Sequence, residues 1–257
     1  MESRPVPPEC LPQRLPRGQR ALAPALSLSE TDGVRYLHFG SEWVQGAMRL
    51  RRPFHLELEY QAQMMAPLLF CPRPGHIVQL GLGAAALTKF CWRHLPRTRV
   101  SAVELEPEVI AAARRWFRLP PDDGRLRVIA GDARRFVGDR RNRGGADWVQ
   151  VDLYDAQARG PVYDDVGFYR ACSKLLRPRG VVAVNLFGRS FTASRSAISA
   201  AFGGRLWELP PAATGNQVVL GFAADVRPPS AAALQRFAQA VQRRYGLPAV
   251  SWLAGLD

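Results

Sequence analysis

The chain has 257 residues, 47% of them hydrophobic and 22% charged, with a formal net charge of +13. That apolar content suffices for one large domain with a small appendage and excludes a disordered body. The longest apolar runs, at 180–187 and 218–224, are far short of the about twenty residues a membrane-spanning helix needs, so no membrane association is expected.

Residues 1–26, rich in Pro and Arg and without an apolar core, are expected to form a poorly ordered leader, not an export signal. Cys10, Cys71, Cys91 and Cys172 lack metal-ligand spacing and sit mostly in apolar contexts; this suits reduced thiols in a cytoplasm, with neither a metal nor a disulfide framework. The arginines are spread over many stretches and not interleaved with aromatics. Dispersion of this kind favours a solvated surface and disfavours nucleic acid as a partner. His38, His55, His76 and His94 form no triad or metal spacing.

Residues 27–72 differ in character from the remainder of the chain. Short aromatic or alternating segments at 34–39, 43–50 and 54–60, separated by Gly40, Gly46 and Pro53, predict strands of a small β unit. A helix is predicted over 61–70, closed by the turn cluster Cys71-Pro-Arg-Pro-Gly75. From residue 73 to 257 strands and helices alternate. Strands are predicted at 76–81, 99–104, 125–130, 146–152, 180–186 and 216–223, with another near 205–209. Helices are predicted at 84–95, 107–117, 133–139, 162–176, 190–201 and 230–245. The fold class is therefore α/β: a Rossmann-like, mostly parallel seven-stranded sheet with helices on both faces, whose ligands bind at the carboxyl ends of the strands.

Those ends carry chemistry. The first strand runs into Gly81-Leu-Gly83, whose missing Cβ atoms allow tight bending and close approach to a ligand before a helix start. The second ends in Glu104, placed to reach a ribose diol; the third in Gly131-Asp132-Ala133; the fourth in Asp152-Leu-Tyr154-Asp155. Singly, Asp132 equally suits a helix cap, and Asp152 and Asp155 suit turn residues. Together they make a nucleoside site. Asp164 and Asp165, after Gly160-Pro-Val-Tyr163, suit either a lid across the strand ends or a solvated helix start.

Gln79-Leu-Gly-Leu-Gly-Ala-Ala85, Val103-Glu-Leu-Glu-Pro-Glu-Val109, Gly131-Asp-Ala133 and Asp152-Leu-Tyr-Asp155, preceded by a β unit with Gln45 and Glu59-Tyr-Gln61, resemble the spermidine synthase family of aminopropyltransferases over about Thr31 to Ala223. The resemblance implies transfer of an aminopropyl group from decarboxylated S-adenosylmethionine to an amine such as putrescine. In it Asp152 matches the catalytic acid, Asp155, Tyr60, Gln61 and Tyr154 the amine-binding positions, and Gln45, Gly81, Gly83, Glu104, Asp132 and Ala133 the donor-binding positions. It also implies a homo-oligomer, commonly a dimer. Gly83 stands where that family carries a loop Asp for the donor's ammonium. The loop thereby approaches that of methyltransferases using ordinary S-adenosylmethionine, which is the alternative reading, with a non-catalytic nucleoside-binding relative as the third.

Overall fold

The computed structural model describes residues 26–39, 44–155, 161–187 and 191–254. The expected leader up to residue 25, with Cys10, and Gly40, Trp43, Gly160 and Ser190 lie outside the described residues.

A three-stranded antiparallel sheet comes first, of β1 (Leu26–Thr31), β2 (Val34–Phe39) and β3 (Val44–Arg49), in that order. Asp32 and Gly33 both have positive φ, 51° and 73°, making the two-residue turn that matches strand twist and pairs Thr31 with Val34. The third strand is thus β1, not the expected 54–60. There the alternation is misleading: Arg52 and His55 close consecutive turns on Arg49 and Arg52, and α1 (Glu59–Gln63) takes over before a strand can form. The helix expected over 61–70 is likewise broken. Pro67 lacks the N–H to continue α1, and Ala66–Leu69 forms a separate 3-10 turn.

The large sheet contains β4 (His76–Leu80), β5 (Arg99–Glu104), β6 (Leu126–Ala130), β7 (Ala146–Val151), β8 (Leu176–Phe187), β9 (Leu206–Glu208) and β10 (Asn216–Phe222). Their order is β6-β5-β4-β7-β8-β10-β9. The first five are parallel, while β10 runs antiparallel to β8 and β9. Between them come α2 (Ala86–His94), α3 (Pro107–Trp116), α4 (Ala133–Gly138), α5 (Val166–Leu175) and α6 (Thr192–Phe202), and α7 (Ala231–Tyr245) comes after β10. Alternate strand residues feed two cores. Ile77, Ala102, Trp148 and Val181 pack against α2 and α7, and Val78, Val103, Val149 and Val182 pack against α5 and α6. Each fully buried Val or Ile contributes about 1.5–3 kcal/mol, so the sheet is fixed by both faces at once. The helix expected from 84 starts at Ala86 because Ala85 adopts a left-handed φ of 56°. That expected from 162 starts at Val166, where the Asp165 side chain accepts the Phe168 N–H.

One buried charge stands out. Lys89 on α2 is 1% exposed, and its Nζ donates to the Phe117 carbonyl at 2.8 Å. Burial, with Arg118 adding repulsion, lowers its pKa to about 7. Because the folded pKa lies below the unfolded one, the unfolded chain binds the extra proton between pH 7 and about 10.5, and Lys89 costs stability at neutral pH. Relative to Lys89→Met, the wild type should gain stability from pH 7 to 10, by up to about 3–4 kcal/mol. Urea unfolding of both proteins across that range checks it, and a pH-independent difference would contradict it.

Candidate active site

The chain leaves β4 outward through β5 and β6, then returns to β7 on β4's other side. This reversal opens a crevice at the carboxyl ends of β4 and β7. Gly81 follows β4 and Asp152 follows β7. The Asp152 N–H donates to the Leu80 carbonyl at 2.9 Å, and a Cβ on Gly81 would sit 2.1 Å from the Asp152 carbonyl oxygen. With φ at +93° as well, no side chain fits at Gly81. The absence of one brings the glycine loop against the acid.

Asp152 lies half-buried in this crevice. Asn185 Nδ2 donates to its Oδ1 at 2.8 Å, and the Tyr60 hydroxyl donates to its Oδ2 at 3.4 Å. The register that sets Val151 opposite Val184 makes Asp152 and Asn185 neighbours. Asn185 Oδ1 in turn accepts from Asn216 Nδ2 at 3.0 Å, and Asn216 Oδ1 accepts from the Thr214 hydroxyl at 2.7 Å. Each amide is thereby fixed in one orientation. Burial raises the Asp152 pKa, against the lowering effect of the Asn185 and Tyr60 hydrogen bonds. Burial and then the Asp152 charge push the Tyr60 phenol well above its usual value, keeping it a donor. The Tyr154 hydroxyl donates to the Asn185 carbonyl at 2.7 Å, closing the same wall.

The N-terminal sheet completes the crevice. Gly46 would place a Cβ 2.5 Å from that of Ala84, so only its bare backbone lets β3 dock on the glycine loop. Gln45 Nε2 then donates to the Asp155 carbonyl at 3.1 Å. A Cβ on Gly83, at φ +50°, would lie 3.0 Å from the Gln45 carbonyl oxygen. Gln61 is 4% exposed, accepts from the Leu58 N–H at 3.4 Å and lies beside the Tyr60 hydroxyl.

Glu104, on the neighbouring strand end, accepts from the Leu82 N–H at 2.9 Å and the Glu106 N–H at 3.1 Å. Burial raises its pKa, and the surrounding backbone N–H groups oppose the rise. Asp132 Oδ1 caps α4 through the Arg135 N–H at 2.7 Å, while its Oδ2 accepts from the Tyr163 hydroxyl. Burial opposes its ionisation, yet the hydrogen bonds from Tyr163 and the α4 backbone win and lower its pKa. Ala133 is buried as the first residue of α4. Gln45, Tyr60, Gly81, Gly83, Asp152, Tyr154 and Asp155 are thus joined by direct contacts around one crevice, with Glu104 tied to the loop through Leu82. Asp132 and Ala133 stand one strand further out.

Two site features escape sequence reasoning. Asn185 is a lone amide in the apolar run Val181–Val184 to Phe187, a signal that becomes meaningful only beside Asp152; Tyr163 reaches Asp132 from 31 residues away. Asp164 and Asp165 are occupied elsewhere: Asp164 accepts from the Tyr169 and Ser194 hydroxyls, and Asp165 caps α5 and pairs with Arg134. Among the described residues, no group of three or more His, Cys, Asp or Glu is placed to hold a metal ion.

No family model matches the chain. It is 32% identical to the polyamine aminopropyltransferase of Neisseria meningitidis serogroup A over 248 residues, 95% of this chain and 94% of the relative. The enzyme of that name from Chromobacterium violaceum is also 32% identical, over 87% of this chain and 86% of the relative. The chain belongs to the polyamine aminopropyltransferase family. It is accordingly a transferase. A spermidine synthase crystallised with the transition-state analogue AdoDATO superposes with a TM-score of 0.62 at 17% identity, covering 89% of this chain and 84% of that one. Human methyltransferase-like protein 13, with SAH, gives 0.63 at 23% identity over 73% of this chain and 92% of that one. These likenesses show the shared fold.

In this chain, Asn185→Ala should raise the Asp152 pKa, because it removes a hydrogen bond that favours the carboxylate. It should also cost about 1–3 kcal/mol by leaving Asn216 without its acceptor. Carbon-13 NMR titration of the Asp152 carboxyl and urea unfolding measure the two effects. An unmoved carboxyl titration would remove Asn185 from the account of the site.

Proposed function

We propose that this protein transfers an aminopropyl group from decarboxylated S-adenosylmethionine to an amine such as putrescine, with Asp152 as the general base. The observation that carries the reading is the Asp152 carboxylate, held by Asn185 and Tyr60 against a glycine loop, in a chain of this family. Gly81, Gly83 and Gln45 form the cradle for the donor, Glu104 takes the ribose hydroxyls, and Asp132 with Ala133 meets the adenine, its amino group replacing the Tyr163 hydroxyl on Asp132. Tyr60, Gln61, Tyr154 and Asp155 surround the acceptor amine.

An alkyl ammonium with a pKa near about 10.4 must shed a proton before it attacks, at a cost of roughly 4–5 kcal/mol at pH 7. Asp152 accepts that proton, and its raised pKa brings it closer to the amine's. The amine nitrogen then bonds to the propyl carbon on the sulfonium, the carbon–sulfur bond breaks, and its electron pair stays on sulfur as methylthioadenosine leaves. Tyr60 and Asn185 stop the carboxylate rotating, so the nucleophile is held in line.

One observation favours a second reading, a methyltransferase-like reaction with ordinary S-adenosylmethionine. Gly83 carries no carboxylate for a donor ammonium, and its positive φ and the nearby Gln45 carbonyl leave no strain-free place for one. Incubation of the protein with each sulfonium and putrescine separates the two by product. Methylthioadenosine is expected; S-adenosylhomocysteine alone would establish the second reading. Asp152→Asn should lower turnover by about 10²–10⁴ while methylthioadenosine binding, followed by calorimetry, persists. Wild-type nucleoside binding with no turnover on any amine would leave a binding protein.

A further inference from the structure

We infer that a cavity at the far end of α2 binds a small phosphorylated aromatic ligand, about the size of a nucleoside monophosphate. The glycine loop feeds the start of α2, and the helix's nine residues at about 1.5 Å each carry its end about 13 Å away. There lies a cavity of about 400 Å³, within the about 300–1,000 Å³ of small-molecule sites. It is separate from the crevice that holds Asp152, and the inference stands whatever reaction occurs there.

Two kinds of side chain line it. Arg52 and His55 come from the turn after β3, and Arg93 and His94 from the last turn of α2. Among the described residues, no carboxylate lines the cavity or pairs with Arg52 or Arg93. Glu57, the nearest acid acting on His55, is held by Arg49 through both its oxygens. Four cationic or protonatable groups therefore converge with no internal anion. The apolar part is aromatic: Phe54, Phe90 and Tyr245 line the same space. Phe90 and Tyr245 have centroids 6.1 Å apart, and His94 lies 4.6 Å from Phe90. Phe54 is braced from behind by Trp92, at 6.2 Å. A ligand ring packs against the partly open Phe54 and Tyr245, with Phe90 sealed as the floor beneath, while an attached phosphate meets the guanidinium forks.

Electrostatics gives the binding a pH signature. Burial first, then the Arg52 charge, lowers the His55 pKa, with Arg49 adding to the fall and Glu57 opposing it. Burial, then Arg93 and His55, lowers that of His94. A phosphate dianion offsets that repulsion, so its binding should raise the titrations of both imidazoles.

Titration calorimetry of the full chain with UMP, uridine and inorganic phosphate tests this. UMP is expected to bind below about 1 mM in physiological salt, with uridine and phosphate each at least about tenfold weaker. Arg93→Glu, at an exposed position, should weaken UMP by more than about tenfold, and the His55 and His94 imidazole titrations followed by NMR should move up on binding. Absence of UMP binding, binding unchanged in Arg93→Glu, or histidine titrations that stay put would each overturn the assignment; phosphate binding as tightly as UMP would overturn its aromatic part.

Discussion

The structure depends on one close approach. Where β4 and β7 diverge, Gly81 passes so near the Asp152 carbonyl that a single methyl group would overlap it. That approach is set by backbone pairing of two parallel strands, not by side chains: Leu80 pairs with Val151, and the Asp152 N–H extends the ladder by one more hydrogen bond. Once glycine occupies position 81, the loop and the acid face a shared crevice. The second close approach, Gly46 on Ala84, brings the small sheet to the same place. Two missing side chains thus assemble a site from three distant parts of the chain.

Two hydrogen-bonded networks run through the large sheet, and their contrast explains which polar residues can act on a ligand. On the face packed with α2, Thr88 donates to Gln79, Gln79 to Gln150, and Gln150 to the Met64 carbonyl. All three side chains are essentially sealed. Every member is paired with protein, so this network ties α1 and α2 to the strands and offers nothing to solvent. The other network, from Thr214 through Asn216 and Asn185 to Asp152 and Tyr60, ends at the carboxyl edge of the sheet. Its last members are the Asp152 carboxylate and the Tyr60 phenol, beside the glycine loop that follows β4. The same chemistry is sealed in the middle of a strand and only half-buried at its end.

The net charge of +13 would run against the proposed cationic substrate at long range. Screening limits that repulsion, since the Debye length at physiological ionic strength is about 8 Å. At the strand ends the Asp152 carboxylate supplies a local negative charge. Some arginines form exposed ion pairs, such as Arg114 with Asp122 and Arg195 with Glu208, each worth about 0–1 kcal/mol, and the 13 basic groups in excess of the acids carry the net charge.

The sequence alone determined the alternation of strands and helices from His76 onward and the polar residue closing each parallel strand, because apolar runs and their breakers are local properties that a buried sheet imposes on every chain crossing it. It pointed to Asp152, Glu104 and the glycine loop for the same reason: chemistry at the carboxyl end of a strand needs only the strand to be found. Phe54–Tyr60 deceived because alternation is a necessary pattern of a strand and not a sufficient one, whereas Leu26–Thr31, mostly exposed, has almost no burial to mark it. Tertiary structure decided the rest. Asn185 acquires its role only when β8 lies in register beside β7, and Gln79, on the same face of the sheet but level with Ala183 two residues earlier, is sealed instead by Thr88 of α2 and Gln150 of β7. Which polar side chain meets a ligand and which is consumed by the fold depends on contacts between residues far apart in the chain, and those exist only once the sheet is built.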